Sequence, residues 1–350
     1  MRIAINGFGR IGRMAARLLL DGANPDLELV AINGTGTLEQ NALLLEFDSI
    51  HGRLPREVRE TQGGLVYGDT FIPVSCERDP AQVNWAAQDV DLVMECTGQF
   101  NDGSAAAAHL GAGAKYVLIS APATNVDQTV VYGVNHQILG PEDRLVSNAS
   151  CTTNCLAPVA QVLHRSLGLV SGYMTTVHAV TGDQSIIDAR HKDPRRGRAA
   201  YESIVPTKTG AAEAISLILP ELAGRLSGSA LRVPTANVSL VDLVFTCQKK
   251  TSVKALNAAF INAAQSSALK GVLTTNKRPL VSSDFCTNPH SAIVDLTQTQ
   301  VMNSTMARVV AWYDNEWGFA ARMLDTAVYM GKVAGLLGAK VVPHPMTFAA

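Results

Sequence analysis

Ile3-Ala4-Ile5-Asn6-Gly7-Phe8-Gly9-Arg10-Ile11-Gly12 opens the chain and decides its fold class. Arg2 to Asn6 reads as a short apolar strand, and Ile11 to Asp21 carries helical spacing. Between them Gly7, Gly9 and Gly12 fall in the pattern G-x-G-x-x-G. In a strand-turn-helix setting the first glycine permits a tight turn and the second lets the backbone approach a pyrophosphate. The third lets helix and strand pack closely. The start of the helix then offers free N–H groups and a partial positive charge to phosphates. A glycine trio alone would fit a plain tight turn; its position after a strand and before a helix favours a dinucleotide.

Working outward, strands and helices alternate through the first half. Leu27 to Asn33 is a strand, Leu38 to Phe47 a helix, Asp91 to Cys96 a buried strand, Ser104 to Gly113 an alanine-rich helix and Tyr116 to Ser120 a strand. That order predicts an α/β fold with a Rossmann-type doubly wound parallel sheet. From Leu169 the texture changes to longer strands: Val170 to His178, Ser229 to Val233, Ser239 to Lys249 and Arg308 to Tyr313. Few helices interrupt them, chiefly Ala211 to Leu219 and Ser252 to Ala268. An α+β domain with a mostly antiparallel sheet is expected there. The boundaries read as residues 1–150 for dinucleotide binding and 151–316 for catalysis. A last helix at about 317–337 returns to the first domain, and 341–350 forms a loose tail with Pro343 and Pro345.

Composition removes other classes. At 350 residues, 47% hydrophobic and 17% charged, the chain is globular in character. A net charge of -1 gives no field to draw it to nucleic acid or an anionic membrane. Six cysteines are too sparse for a disulfide framework. Met14 to Leu20, preceded by Arg10 and Arg13, faintly imitates a signal peptide, but the glycines before it favour the nucleotide reading. No stretch reaches the ~20 apolar residues of a membrane span. A soluble cytoplasmic protein is expected.

Ser147-Asn148-Ala149-Ser150-Cys151-Thr152-Thr153-Asn154-Cys155 precedes a helical pattern at Leu156, Val159, Ala160 and Leu163. Ser150 suits an N-cap, which places Cys151 in the first turn, where the helix dipole favours thiolate. Pro158 would kink this helix. Cys151 and Cys155 share a face, but no His or Cys cluster has the spacing to complete a metal site, so no metal is expected. Cys155 reads as buried and structural. His178 closes a strand, Tyr173 to Val177, and is the candidate base for the thiol.

At the end of the second strand stands Asn33, where NAD-specific folds usually place Asp or Glu. A neutral amide would tolerate the extra phosphate of NADP; equally, it could bind the ribose of NAD.

INGFGRIGR, SNASCTTNC, TKTGAAEA, RVPTANVSLVDL and YDNEWG, in that order, resemble the phosphorylating glyceraldehyde-3-phosphate dehydrogenase family, and the likeness runs from about residue 1 to about residue 335. The resemblance implies oxidation of glyceraldehyde 3-phosphate with inorganic phosphate, through a Cys151 hemithioacetal and thioester with His178 as base. It implies a substrate-phosphate site at Thr181 and Arg232, and an inorganic-phosphate site at Ser150, Thr209 and Gly210. Thr152 joins this anion set, and Arg196 serves one or both sites. Around the cofactor it implies Arg10, Ile11, Arg78, Thr97, Ser120 and Asn315, and for the assembly a homotetramer.

The chain departs from the family pattern at Asn33 and at Ala189-Arg190, within a loop from Ala179 to Ser203 that the resemblance places near a neighbouring subunit's cofactor. Both departures point to dual NAD and NADP use, with Arg190 a partner for the extra phosphate. Phe319 replaces a tyrosine common in the family. Arg195 to Arg198 would otherwise read as a solvated basic loop or a nucleic-acid patch; in a neutral protein nucleic acid is disfavoured. Erythrose-4-phosphate dehydrogenase is a rival reading, but Thr207-Lys208-Thr209-Gly210 and Thr181 favour the triose phosphate. A non-catalytic dinucleotide sensor or RNA-binding protein would not need the nucleophile.

Overall fold

The structure is a computed structural model that describes residues 1–338. It divides into two compact units. Unit 1 takes Met1–Val130, His136–Ala149 and the described residues from Ala320 on; unit 2 takes Val131–Asn135 and Ser150–Phe319. The expected tail at 341–350 lies outside the described residues.

Unit 1 is built on a nine-stranded sheet. Its order is Gln128–Thr129, Leu145–Ser147, Tyr116–Ile119, Leu92–Glu95, Arg2–Asn6, Glu28–Asn33, Thr70–Ser75, Gly64–Tyr67 and Val58–Thr61. Strands pair in parallel from the first through Thr70–Ser75, then antiparallel to the edge. The sequence reading assigns no strand between 58 and 75. Val58–Thr61 carries Arg59, Glu60 and Thr61 on an exposed edge and lacks an apolar signature, while Gly64–Tyr67 and Thr70–Ser75 are apolar but short. Arg2–Asn6 and Leu92–Glu95 are almost wholly buried, as continuous apolar runs in a parallel sheet must be.

The three glycines divide their labour as the pattern requires. Gly7 has φ +94°, and a Cβ there would lie 2.6 Å from the Thr97 nitrogen. Gly9 has nothing within 4 Å of its missing side chain, leaving the backbone open to a ligand. At Gly12 a Cβ would collide with the Gly7 carbonyl oxygen, so only glycine lets the Arg10–Leu20 helix seat on the turn.

The Leu38–Glu46 helix begins with a capping box between Thr37 and Gln40. Its C-terminal end is held by buried Arg17, which donates to the carbonyls of Leu45, Glu46 and Gly52. The expected helix from Ser104 to Gly113 forms as two short pieces, Gly103–Ala106 and Ala108–Gly111.

Unit 2 carries an eight-stranded mixed sheet. Leu169–His178 is interior, parallel to Leu226–Arg232 on one side and antiparallel to Ser239–Cys247 on the other. Ser239–Cys247 alternates strictly, with Ser239, Val241, Leu243, Phe245 and Cys247 buried. Leu273–Asn276 and Ala292–Asp295 add a second parallel pair, so the sheet is less uniformly antiparallel than the sequence suggests. The Cys151–Leu167 helix packs on this sheet and on the Ala211–Ile218 helix. It runs continuously through Pro158 to an αL cap at Gly168.

Candidate active site

Ser150 caps its helix as expected, its Oγ accepting from the Thr153 N–H at 3.0 Å. Cys151 is therefore the first helical residue, with its sulfur beside free backbone N–H groups. Its Sγ lies 3.5 Å from His178 Nε2. Sheet register explains what surrounds the imidazole: His178 and Arg232 are paired positions on neighbouring parallel strands. The Arg232 Nη1 group reaches His178 Nδ1 at 2.6 Å and the Ala179 carbonyl at 2.9 Å. The Ala179 carbonyl also lies 2.7 Å from Nδ1 and can only accept, whereas the guanidinium can only donate, so Nδ1 faces both an acceptor and a donor, while Nε2 is the nitrogen that faces sulfur.

Burial and the Arg232 charge lower the His178 pKa to about 3, which keeps the imidazole neutral. Burial also pushes the Cys151 thiol up, against the opposing pull of Arg232 and of hydrogen bonds from Thr152. The helix start that the sequence places beside this thiol favours thiolate, and burial acts against it. Tyr313 meets the His178 ring edge-on, with centroids 6.0 Å apart. Its hydroxyl joins those of Thr152 and Thr176, each at 2.9 Å. Cys155 is fully buried beside the Ala311 carbonyl, as expected for a structural thiol.

Beyond the thiol, the anion residues gather around a carboxylate that the sequence reading missed. Arg196 Nη1 donates to Asp183 at 3.0 Å, and the Thr181 hydroxyl donates to the same carboxylate. Burial raises the Asp183 pKa, but Thr181, Arg232 and Arg196 together hold it below the usual carboxylate value. Arg196 also reaches Thr207 Oγ1 at 3.0 Å. Thr209 Oγ1 accepts from the Ala211 N–H, and Gly210 begins that helix with open space where a side chain would be. Arg198 pairs with Asp188 at 2.8 Å, so Arg196 and Arg198 are both matched to carboxylates. That disfavours a nucleic-acid patch. Arg190 is exposed on this unit.

Unit 1 holds a cavity of about 370 Å³ at the C-terminal ends of its parallel strands. Gly7, Gly9, Asn33, Arg78 and Thr97 line it, together with Gly34, Thr35, Glu77 and Cys96. Open α/β sheets bind ligands at this edge. Arg10 instead pairs with Asp48, whose burial would raise its pKa. Arg10 and the N–H groups of His51 and Ile50 hold that carboxyl far below its usual value. Ile11 is half-buried, and Ser120 donates its N–H to the Glu95 carbonyl. Asn315 lies in unit 2, buried, accepting from Ser239 Oγ at 2.8 Å.

Residues 1–103 match the family model described as glyceraldehyde 3-phosphate dehydrogenase, NAD binding domain, and residues 150–315 match that enzyme's C-terminal domain. The chain belongs to the glyceraldehyde-3-phosphate dehydrogenase family. It is similar to the glyceraldehyde-3-phosphate dehydrogenases of Cereibacter sphaeroides and Xanthobacter flavus, 54% identical to each over 333 residues. Those alignments cover 95% of this chain and 99% of each relative. The enzyme of Geobacillus stearothermophilus is 50% identical over 331 residues, 94% of this chain and 98% of its own length.

Two expectations made from the sequence need correction. Thr152 is 4% exposed and its hydroxyl is bonded to Tyr313, so its side chain serves the helix-to-sheet contact rather than an anion. Asn33 lines the cavity, but its amide is spent. Nδ2 donates to Asn6 Oδ1 at 2.7 Å and the Glu77 carbonyl at 2.8 Å. Oδ1 accepts from Ser75 Oγ at 2.9 Å and the Glu77 N–H at 2.8 Å. All four hydrogen-bonding positions are taken, which leaves none to read a ribose.

Proposed function

We propose that this chain oxidises D-glyceraldehyde 3-phosphate to 1,3-bisphosphoglycerate, reducing NAD and taking up inorganic phosphate. The observation that carries the reading is the Cys151–His178 contact at a helix N-terminus, with Arg232 beside it. Cys151 sulfur attacks the aldehyde carbon while its proton passes through His178 to the carbonyl oxygen, forming a hemithioacetal. His178, neutral and buried, then accepts the hydroxyl proton as hydride leaves the same carbon, and a thioester remains. A bound nicotinamide coenzyme supplies the hydride acceptor. A phosphate oxygen attacks the thioester, the C–S bond breaks, and the departing sulfur recovers its proton from His178.

Arg232, Arg196 and Thr181 form the substrate-phosphate site in this reading, with Asp183 as the group that phosphate must displace from Arg196 and Thr181. Ser150, Thr209 and Gly210 serve inorganic phosphate through two helix N-termini.

NADP is a second coenzyme in this reading, on grounds other than a free Asn33 amide. The strand end offers no carboxylate at Asn33, the next residue is Gly34, and exposed Arg78 lines the same cavity. Arg190 would act there only from a neighbouring subunit. A homotetramer is supported by apolar groups left in solvent, Leu43 and Phe47 on unit 1 and Ile186, Ile187 and Ile204 on unit 2. All six cysteines are free thiols, which suits a reducing cytoplasm. No helix among the described residues is long and apolar enough to cross a membrane.

The test is mass spectrometry of reduced protein mixed with the aldehyde and NAD in phosphate-free buffer. An acyl adduct on Cys151 that phosphate discharges is expected. No adduct, or one on another cysteine, would overturn the assignment.

A further inference from the structure

Beneath the unit 1 cavity lies a buried acid and imidazole that the reaction does not use. Glu95 is 1% exposed and His109 fully buried, with His109 Nε2 and Glu95 Oε2 3.0 Å apart. Their proton positions follow from partners that can act in only one sense. The Trp85 indole N–H can only donate, and it meets His109 Nδ1 at 3.0 Å. The neutral ring therefore carries its proton on Nε2 and gives it to Glu95.

Glu95 accepts from three further donors. Asn6 Nδ2 reaches Oε2 at 2.6 Å, and the Thr97 N–H reaches Oε1 at 2.7 Å, with the Thr97 hydroxyl on that same oxygen. The carboxylate thus accepts throughout and donates nowhere. Asn6, its orientation fixed, receives the Asn33 amide on Oδ1.

These contacts end at the cavity. Asn6 and Thr97 both line it, at the ends of neighbouring parallel strands. The Thr97 nitrogen is the atom that a Cβ at Gly7 would strike, so the position of Thr97 sets the glycine turn. Asn33 passes the constraint to Glu77, which also lines the cavity.

We propose that His109 and Glu95 are a positioning pair for coenzyme binding: His109 holds the Glu95 carboxylate in the one orientation that fixes Asn6, Thr97 and the glycine turn between them. The pair rests on the reading of this cavity as the dinucleotide site. Neither residue touches the coenzyme; each acts through the cavity wall.

The proposal separates affinity from turnover. His109→Leu keeps the volume of a buried side chain but removes both the donor to Glu95 and the acceptor for Trp85. NAD dissociation constants, from titration calorimetry, are expected to rise roughly tenfold, with kcat at saturating NAD within about twofold of wild type. His109→Gln offers an amide N–H to Glu95 and a carbonyl to Trp85, and is expected to recover most of the affinity. Trp85→Phe removes the donor to His109 Nδ1 together with part of a buried core side chain and should weaken NAD about threefold; it decides the matter if His109→Leu does not fold. Unchanged affinity in folded His109→Leu or in Trp85→Phe, or Gln no better than Leu, would overturn the pair. Wild-type protein that binds no NAD would overturn the reading of the cavity itself, and the pair with it.

Discussion

Replacing Asn33 by aspartate is the natural experiment for coenzyme choice, and the structure gives it a different outcome. The introduced carboxylate could still accept from Ser75 Oγ and the Glu77 N–H. Its second oxygen, however, would replace Nδ2 against Asn6 Oδ1, 2.7 Å away, and the Glu77 carbonyl, 2.8 Å away. Both contacts become acceptor against acceptor at a residue 3% exposed. Asn6 cannot rescue the first by turning its amide, because its Nδ2 is held by Glu95 at 2.6 Å. Two lost hydrogen bonds at ~1 kcal/mol each, and two buried groups left unmatched at a similar cost, give ~4 kcal/mol of destabilisation. For a 350-residue chain that corresponds to a thermal midpoint ~5 °C lower at one protein concentration. The sign with pH follows from the same contacts. Once protonated, the introduced carboxyl can donate once, so its folded pKa lies above the unfolded value near ~4. The deficit against wild type is smallest below that value and grows as pH rises through the folded pKa. Unfolding of wild type and Asn33→Asp at pH 5 and pH 7.5 tests this. A deficit under ~1 kcal/mol at pH 7.5, or one that is larger at pH 5, would refute the reasoning.

Three further outcomes are expected. Arg17→Met strips two carbonyls at the end of the Leu38–Glu46 helix, and that of Gly52 beyond it, of their donor and should cost ~2–4 kcal/mol in denaturant unfolding, with kcat little changed. Burial lowers the His136 pKa to about 4 from 6.5, so its folded form binds fewer protons than the unfolded chain. Its stabilisation is present above pH ~6.5 and is lost as pH falls toward ~4, by ~3 kcal/mol in all, and His136→Gln should lose less stability between pH 7 and 4.5. Arg78→Ala should lower kcat/KM for NADP at least ~fivefold more than for NAD, the discrimination expected of one charge-assisted contact; equal loss for both coenzymes would remove Arg78 from phosphate recognition.

Much of this molecule could be read from local pattern. The glycine spacing, the Ser150 cap and the placing of His178 at a strand end each depend on a few neighbouring residues, and each took the position its spacing implied. What escaped depends on distance along the chain. Asn33 is satisfied by Ser75 and Glu77, more than forty residues on. Glu95 closes an apolar strand and His109 sits in an alanine-rich segment, so neither stands out until the fold joins them through Asn6 and Trp85. Asp183 reads as one loop carboxylate among several, and only the fold sets it between Thr181, Arg196 and Arg232. At the thiol, a helix start is visible in sequence, but the burial that acts against it is not.

The most direct test is reduction of NAD and NADP by the purified, fully reduced protein with glyceraldehyde 3-phosphate, with and without inorganic phosphate. Turnover that requires phosphate in wild type and vanishes in Cys151→Ser is the expected result. No turnover with either coenzyme, or turnover that persists without Cys151, would contradict the account.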